Sequence, residues 1–265
     1  MQTVLTIAGS DSIAGAGIQA DLKTFAALGV YGVSGVTAIT AQSTTGVTDV
    51  FPLSADIVRA QIDQVTQDAA IAAVKTGMLA TVEIVEVVAE AVSRFQRSNL
   101  VVDPVMASGS GMRTLLAQEA VSILKTRVFP LATVVTPNVS EAAALCGTVV
   151  DSLSTAREAA KRIIDFGAAA VVIKGGHWGG AQAVDLLLHA GTFTEFPVPR
   201  VNVSGVHGTG CTFASAIAAG LALGDDIPAA VQRAKRYVTG AIEHSFEIGR
   251  GARILNHFWD RRVTL

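Results

Sequence analysis

His207-Gly208-Thr209-Gly210-Cys211-Thr212 sets two glycines immediately before a helix whose apolar period begins at about Cys211. At a helix N-terminus the first backbone N–H groups have no intrahelical partner and the macrodipole adds roughly half a positive charge. An oxyanion therefore binds there wherever glycine lets the backbone approach it. Cys211 would stand at the positive end, where a thiol's pKa falls and it becomes a base or an anion-stabilising group for a substrate hydroxyl. Gly-Thr-Gly before a helix is common in α/β proteins and Cys is often buried, so a Gly-rich turn with an inert Cys is the competing reading. The rest of the chain weighs between them.

Outward from this stretch, short β-branched runs alternate with helical periods. Val4 to Ala8, Gly35 to Thr40, Ala72 to Lys75, Leu100 to Asp103, Thr133 to Thr136 and Ala170 to Lys174 read as buried strands. Between them, Ile18, Leu22 and Phe25 share one helical face, as do Ile57, Ile62 and Val65, then Ile84, Val88 and Val92, then Ala159, Ile163 and Phe166. Val184 to Leu188 and Thr192 to Phe196 flank Ala190-Gly191, an antiparallel hairpin for the sheet edge. Two helices close the pattern, from about Cys211 to Leu223 and from Pro228 to Phe246, the second with Val231, Ala234, Val238 and Ile242 on one face. With no linker-like tract and no internal repeat, the expectation is one domain over 1–265. It is a three-layer, doubly wound α/β fold with a mostly parallel central sheet between helices.

Composition agrees. The chain has 265 residues, 50% of them hydrophobic and 16% charged, which suits a large core. A net charge of -2 offers no field for nucleic acid or an acidic membrane surface. Cys146 and Cys211 lie far apart, with no Cys or His spaced for zinc and no disulfide framework. The N-terminus opens on a strand-like run without a basic leader, and no apolar stretch reaches about 20 residues. A soluble, unexported, cytoplasmic protein is expected.

In such a sheet the ligand crevice lies at the carboxyl ends of the strands. Six strand ends here carry polar groups or glycines: Gly9-Ser10-Asp11 with Gly15-Ala16-Gly17, Gln42, Gly77-Met78, Asp103-Pro104, Pro137-Asn138 and Gly175-Gly176. Packing does not explain that recurrence, although each alone could be a turn signal. Asp21 falls at the edge of the Ile18, Leu22 and Phe25 stripe, facing the crevice side; a dipole-favoured acid is the alternative. Asn138 and Glu141 are three apart at a helix start, suited to a hydrated Mg²⁺ or, equally, to a capping box. Lys174 ends a Val-Val-Ile strand before two glycines, a place for a cation that reaches phosphate. His177 and His207 carry no role.

These residues carry a resemblance. Ile7-Ala8-Gly9-Ser10-Asp11, Gly15-Ala16-Gly17-Ile18-Gln19-Ala20-Asp21-Leu22-Lys23, Thr76-Gly77-Met78-Leu79, Asp103-Pro104-Val105-Met106, Thr136-Pro137-Asn138 with Glu141, Lys174-Gly175-Gly176-His177 and His207 to Thr212 occur together in this order. From about Thr3 to Phe258 the chain resembles the hydroxymethylpyrimidine/phosphomethylpyrimidine kinases of thiamin biosynthesis, in the ribokinase-like superfamily.

The resemblance implies an ATP-dependent kinase that phosphorylates 4-amino-5-hydroxymethyl-2-methylpyrimidine and then its monophosphate. By matched position, Gly9, Asp21 and Gln42 would meet the aminopyrimidine, with Met78 and Val105 against the ring. Cys211 would stand beside the reacting hydroxyl, and the Gly208, Thr209, Gly210 and Cys211 amides would form the anion hole. Lys174 and Thr209 would reach ATP, and Asp103, Asn138 and Glu141 would surround Mg²⁺. K⁺ dependence is left open, and a homodimer is expected. The chain departs from the family at Ile13-Ala14-Gly15, where Ser-Gly-Gly is usual before Ala16. It also departs at Gly109-Ser110-Gly111-Met112, where Lys-Ser-Gly-Asp is common; Arg113 is a candidate to compensate. Ser43 and Ser204-Gly205-Val206 are smaller changes. Pyridoxal kinases of the same superfamily are the nearest alternative, with Gln42 the discriminator, and a non-catalytic pyrimidine sensor is the third.

Overall fold

The computed structural model describes residues 1–94, 99–106, 118–176, 180–203 and 205–260. The 109–112 loop, Arg113, His177 and Ser204 fall outside them. In chain order the elements are β1 (Thr3–Asp11), α1 (Gly17–Leu28), β2 (Tyr31–Ser43), β3 (Gly46–Pro52), α2 (Ala55–Asp68), β4 (Ala73–Thr76), α3 (Val82–Ser93) and β5 (Asn99–Val102). They continue with α4 (Gln118–Ile123), β6 (Val134–Val135), α5 (Val139–Cys146), α6 (Leu153–Ile164), β7 (Ala170–Ile173), β8 (Gln182–His189), β9 (Thr192–Pro199), β10 (Val206–His207), α7 (Thr209–Ala222), α8 (Ile227–Glu243) and β11 (Arg253–Ile254).

Nine strands form one sheet in the order β3-β2-β1-β4-β5-β6-β7-β8-β9. The run from β2 to β7 is parallel, and antiparallel pairs flank it at both edges. Because β2 and β4 lie on opposite sides of β1, the strand order reverses there, and the carboxyl ends of β1 and β4 open the crevice. Strand residues alternate between two cores. Leu5, Ile7, Val74, Leu100 and Val102 pack under α2 to α6, whereas Val4, Ala73 and Val101 pack under α1, α7 and α8. The three-layer, mostly parallel architecture is as expected.

The β8–β9 hairpin turns at Ala190 (φ 47°) and Gly191 (φ 75°), the two left-handed residues that a tight twisted hairpin requires. Differences are local. β3 extends the other edge, where its Val47, Asp49 and Phe51 carry too little apolar alternation to announce a strand. Ile57 is 48% exposed, and Val58 with Ile62 faces the core of α2 instead. α8 stops at Glu243, and α7 begins at Thr209, two residues before the apolar period signals it.

Candidate active site

α7 starts abruptly. Its cap, Gly208, sits at φ 86° and supplies no side-chain cap; the first helical bond runs from the Thr212 amide to the Gly208 carbonyl at 3.0 Å. The amides of Thr209, Gly210 and Cys211 are therefore left for an anion. A side chain on Gly208 would strike the Gly15 carbonyl, so the cap and the loop after β1 interlock only around glycine. A Cβ on Gly210 would lie 3.1 Å from Lys174 Nζ and 3.6 Å from Asp103 Oδ2. That places the helix start directly against the ends of β5 and β7.

Lys174 donates to Asp103 Oδ1 at 2.9 Å and lies 3.9 Å from Glu141 Oε2. Burial works against the Lys174 charge, but Asp103 and Glu141 outweigh it and hold its pKa above the ordinary lysine value. Glu141 is pushed up to about 7, mainly by burial; Asp103 adds to the rise and Lys174 opposes it. Asn138 and Glu141 form a full capping box: Asn138 Oδ1 accepts the Glu141 amide at 2.9 Å and Glu141 Oε2 accepts the Asn138 amide at 2.7 Å. The side-chain oxygen of Asn138 thus takes one bond from the cap. Asp185 on β8 accepts the Gly175 amide at 3.0 Å and pairs with Lys235 of α8 at 2.9 Å, which fixes the loop behind Lys174.

The other half of the crevice is less polar. Met78 is nearly buried and lies across Gly9, where its Cε would be 2.9 Å from an added Cβ. Val105 follows Asp103 by two residues in a tight turn, its amide on the Asp103 carbonyl at 2.8 Å. Gln42 Nε2 lies 2.8 Å from His207 Nε2, which is in turn 3.0 Å from Asp11 Oδ2. Burial raises the Asp11 pKa, but the His207 bond and the amides of Ala16 and Ile13 outweigh it and keep Asp11 below the usual range. Asp11 thereby pins the Ile13-Ala14-Gly15 loop. His207, given no role from sequence, joins three segments at the lip.

Two expectations are corrected. Burial pushes the Cys211 thiol up to about 11, against the pull of Lys75 and the Gly17 amide, so the helix terminus does not leave a thiolate at neutral pH. Asp21 does not open to the crevice. It is fully buried, and its carboxylate takes Lys75 Nζ at 3.0 and 2.8 Å, Thr6 Oγ1 at 2.6 Å and Ser215 Oγ at 2.7 Å. In sequence Lys75 ends a strand, and its signal is a single lysine directly after the apolar run Ala72 to Val74.

An uncapped helix start set against a lysine and carboxylates at the carboxyl ends of β5 and β7, within a three-layer sheet of this strand order, is the architecture of the ribokinase-like small-molecule kinases. The fold matches the ADP complex of Bacillus subtilis pyridoxal kinase with a TM-score of 0.92 at 39% identity over 99% of both chains. Residues 11–256 match the phosphomethylpyrimidine kinase family, and the chain belongs to that family. It is 48% identical over 256 residues to the hydroxymethylpyrimidine/phosphomethylpyrimidine kinase of Streptomyces coelicolor, covering 97% of this chain and 94% of that one. It is also 47% identical over 255 residues to the thiamine biosynthesis bifunctional protein ThiED of Geobacter sulfurreducens, covering 96% of this chain but spanning only about half, 52%, of that longer relative.

Proposed function

We propose that the chain transfers the γ-phosphoryl of ATP to the hydroxymethyl oxygen of 4-amino-5-hydroxymethyl-2-methylpyrimidine, and then phosphorylates the monophosphate to the diphosphate used in thiamin biosynthesis. The observation that carries this reading is the uncapped start of α7 facing Lys174 and Asp103. The hydroxyl oxygen forms the new bond to phosphorus as the bond to the ADP oxygen breaks, and the hydroxyl proton passes to an oxygen of the transferred phosphoryl group and from there to water. Charge on the transferring group is met by the Thr209, Gly210 and Cys211 amides and by Lys174. Such loose transfer gains mainly from positioning and charge stabilisation. The protonated Cys211 thiol orients the attacking hydroxyl, and Gln42, held against His207, reads the aminopyrimidine edge by donating and accepting at once.

Mg²⁺ belongs to the proposal. Among the described residues no three His, Cys, Asp or Glu side chains converge on one point. Mg²⁺ keeps most of its water and is commonly held by one or two carboxylates plus phosphate. The second oxygens of Asp103 and Glu141 are the groups that would hold it, and it would neutralise phosphate charge when bound. We also infer a homodimer. Ile39 and Phe51 stand opposite each other on β2 and β3 and are 51% and 67% exposed, an apolar patch suited to a second copy. The cytoplasm, where a free Cys211 stays reduced, is the compartment inferred.

A pyridoxal kinase is the second reading, favoured by the fit to the B. subtilis pyridoxal kinase fold. Incubation with MgATP and hydroxymethylpyrimidine, its monophosphate or pyridoxal separates the readings by chromatography of ADP and products. Turnover of both pyrimidines is the expected result. Pyridoxal alone would move the assignment, and substrate-independent ADP levels in all three would leave a binding protein.

A further inference from the structure

A buried ion pair lies one helical turn beneath the reacting end of α7. Lys75 and Asp21 both have 0% exposed side chains, and their carboxylate–ammonium contact is shared with Thr6 of β1 and Ser215 of α7. Four elements, β1, α1, β4 and α7, thus meet on one carboxylate. Replacing such a pair by apolar side chains is often neutral or stabilising, so stability gives no reason to keep it. Its location does. Ser215 follows Cys211 by four residues and shares its face of α7. Lys75 Nζ lies 2.8 Å from where a Cβ on Gly77 would be, so it reaches the carboxyl end of β4, where the crevice opens.

We propose that Lys75 and Asp21 are positioning residues for phosphoryl transfer: through Ser215 they fix the first turns of α7 under the acceptor, and Lys75 supplies a permanent charge beneath Cys211. The inference rests on the kinase reading above. The charged groups acting on the Cys211 thiol are Lys75 from β4, Asp21 from α1, Asp103 after β5 and Lys174 after β7.

The test compares wild type with Lys75→Met, the charge-free pair Lys75→Met/Asp21→Asn, and Ser215→Ala. Cys211 alkylation by iodoacetamide at pH 8.5, read on its own peptide by mass spectrometry, needs no turnover. Lys75→Met is expected to slow it by about fivefold or more, because a nearby cation favours the reactive thiolate. Mere loosening of the fold would expose the thiol and speed it. The double variant is expected to keep a wild-type melting temperature with kcat about tenfold lower and pyrimidine KM within about threefold. Ser215→Ala is expected to lose kcat by about threefold or more with unchanged alkylation. Faster alkylation in Lys75→Met, or wild-type kcat in the double variant and in Ser215→Ala, would overturn the proposal. Absence of ADP formation by wild type itself would overturn the kinase reading instead, and the alkylation arm would still report on Lys75. If Lys75→Met does not fold, the double variant and Ser215→Ala decide the matter.

Discussion

At Cys211 two influences oppose each other: the helix start and Lys75 favour a thiolate, and burial wins, leaving the thiol with a pKa of about 11. In the proposed reaction its contribution is therefore alignment of the acceptor hydroxyl. Cys211→Ala should lower kcat by at least about tenfold, toward the lower end of effects seen for groups at a reacting proton; an unchanged kcat would retire the role. Gln42 is held by contacts to His207 and Thr40, which fix one orientation of its amide, the group proposed to meet the pyrimidine. Gln42→Ala should weaken pyrimidine binding by about 1–3 kcal/mol, with MgATP affinity unchanged. Isothermal titration with each ligand checks this, and equal losses would mean that Gln42 is structural. The sequence shows Asp21 as an acid on a helix edge. It does not show Lys75, 54 residues away on a strand, as its partner, because nothing local at either residue encodes that pairing. His207 is missed for the same reason: its partners are Asp11 and Gln42, both near the other end of the chain.

At the scale of elements, the α7 start depends on the left-handed cap at Gly208 and its interlock with Gly15. Gly208→Ala combines an unfavourable backbone conformation with a backbone clash and should cost about 2 kcal/mol or more, lowering Tm by at least about 4 °C. Differential scanning calorimetry measures it, and a Tm within 1–2 °C of wild type would show that the loop gives way. The strands of the parallel run and the β8–β9 hairpin were legible because continuous β-branched runs and Ala190-Gly191 are local signals. β3 was not legible, since its residues face solvent on an edge and only pairing with β2 makes it a strand. The start of α7 came two residues early because a left-handed glycine, and not an apolar residue, sets it.

At the scale of the molecule, one buried histidine couples stability to acid. His257 accepts or donates to Thr212 Oγ1 at 3.0 Å, and burial, with a smaller push from Lys23, lowers its pKa to about 4. The unfolded chain takes up a proton on this ring below about pH 6.5 and the folded chain only below about 4, so acid favours unfolding across that window. The contribution approaches about 3 kcal/mol by pH 4. Tm measured from pH 7 to 4 should fall more steeply for wild type than for His257→Gln; parallel curves would place the acid sensitivity elsewhere. The inferred homodimer is tested by Phe51→Glu, which should convert a dimer to a monomer in light scattering, and a wild-type monomer would remove the dimer from the proposal. Polar residues and glycines at strand ends are legible in the sequence, and the parallel run of the sheet brings those ends to one side. Which of them face ligand and which face one another depends on the packing of α7, and no motif states it.

α7 is made late. It buries 11 of its 14 residues across β1, β4 and β5 and against α1 and α8, and every strand of the large sheet precedes it in the chain. A nascent chain halted before residue 209 consequently has only α1 to cover the Val4, Ala73 and Val101 side of that sheet and leaves the rest of it to water, the kind of surface that chaperones hold and that drives aggregation. The cover for this face and the helix start proposed to meet the transferring phosphoryl group thus arrive in the same segment, and a ribosome-stalled fragment gains neither without the other.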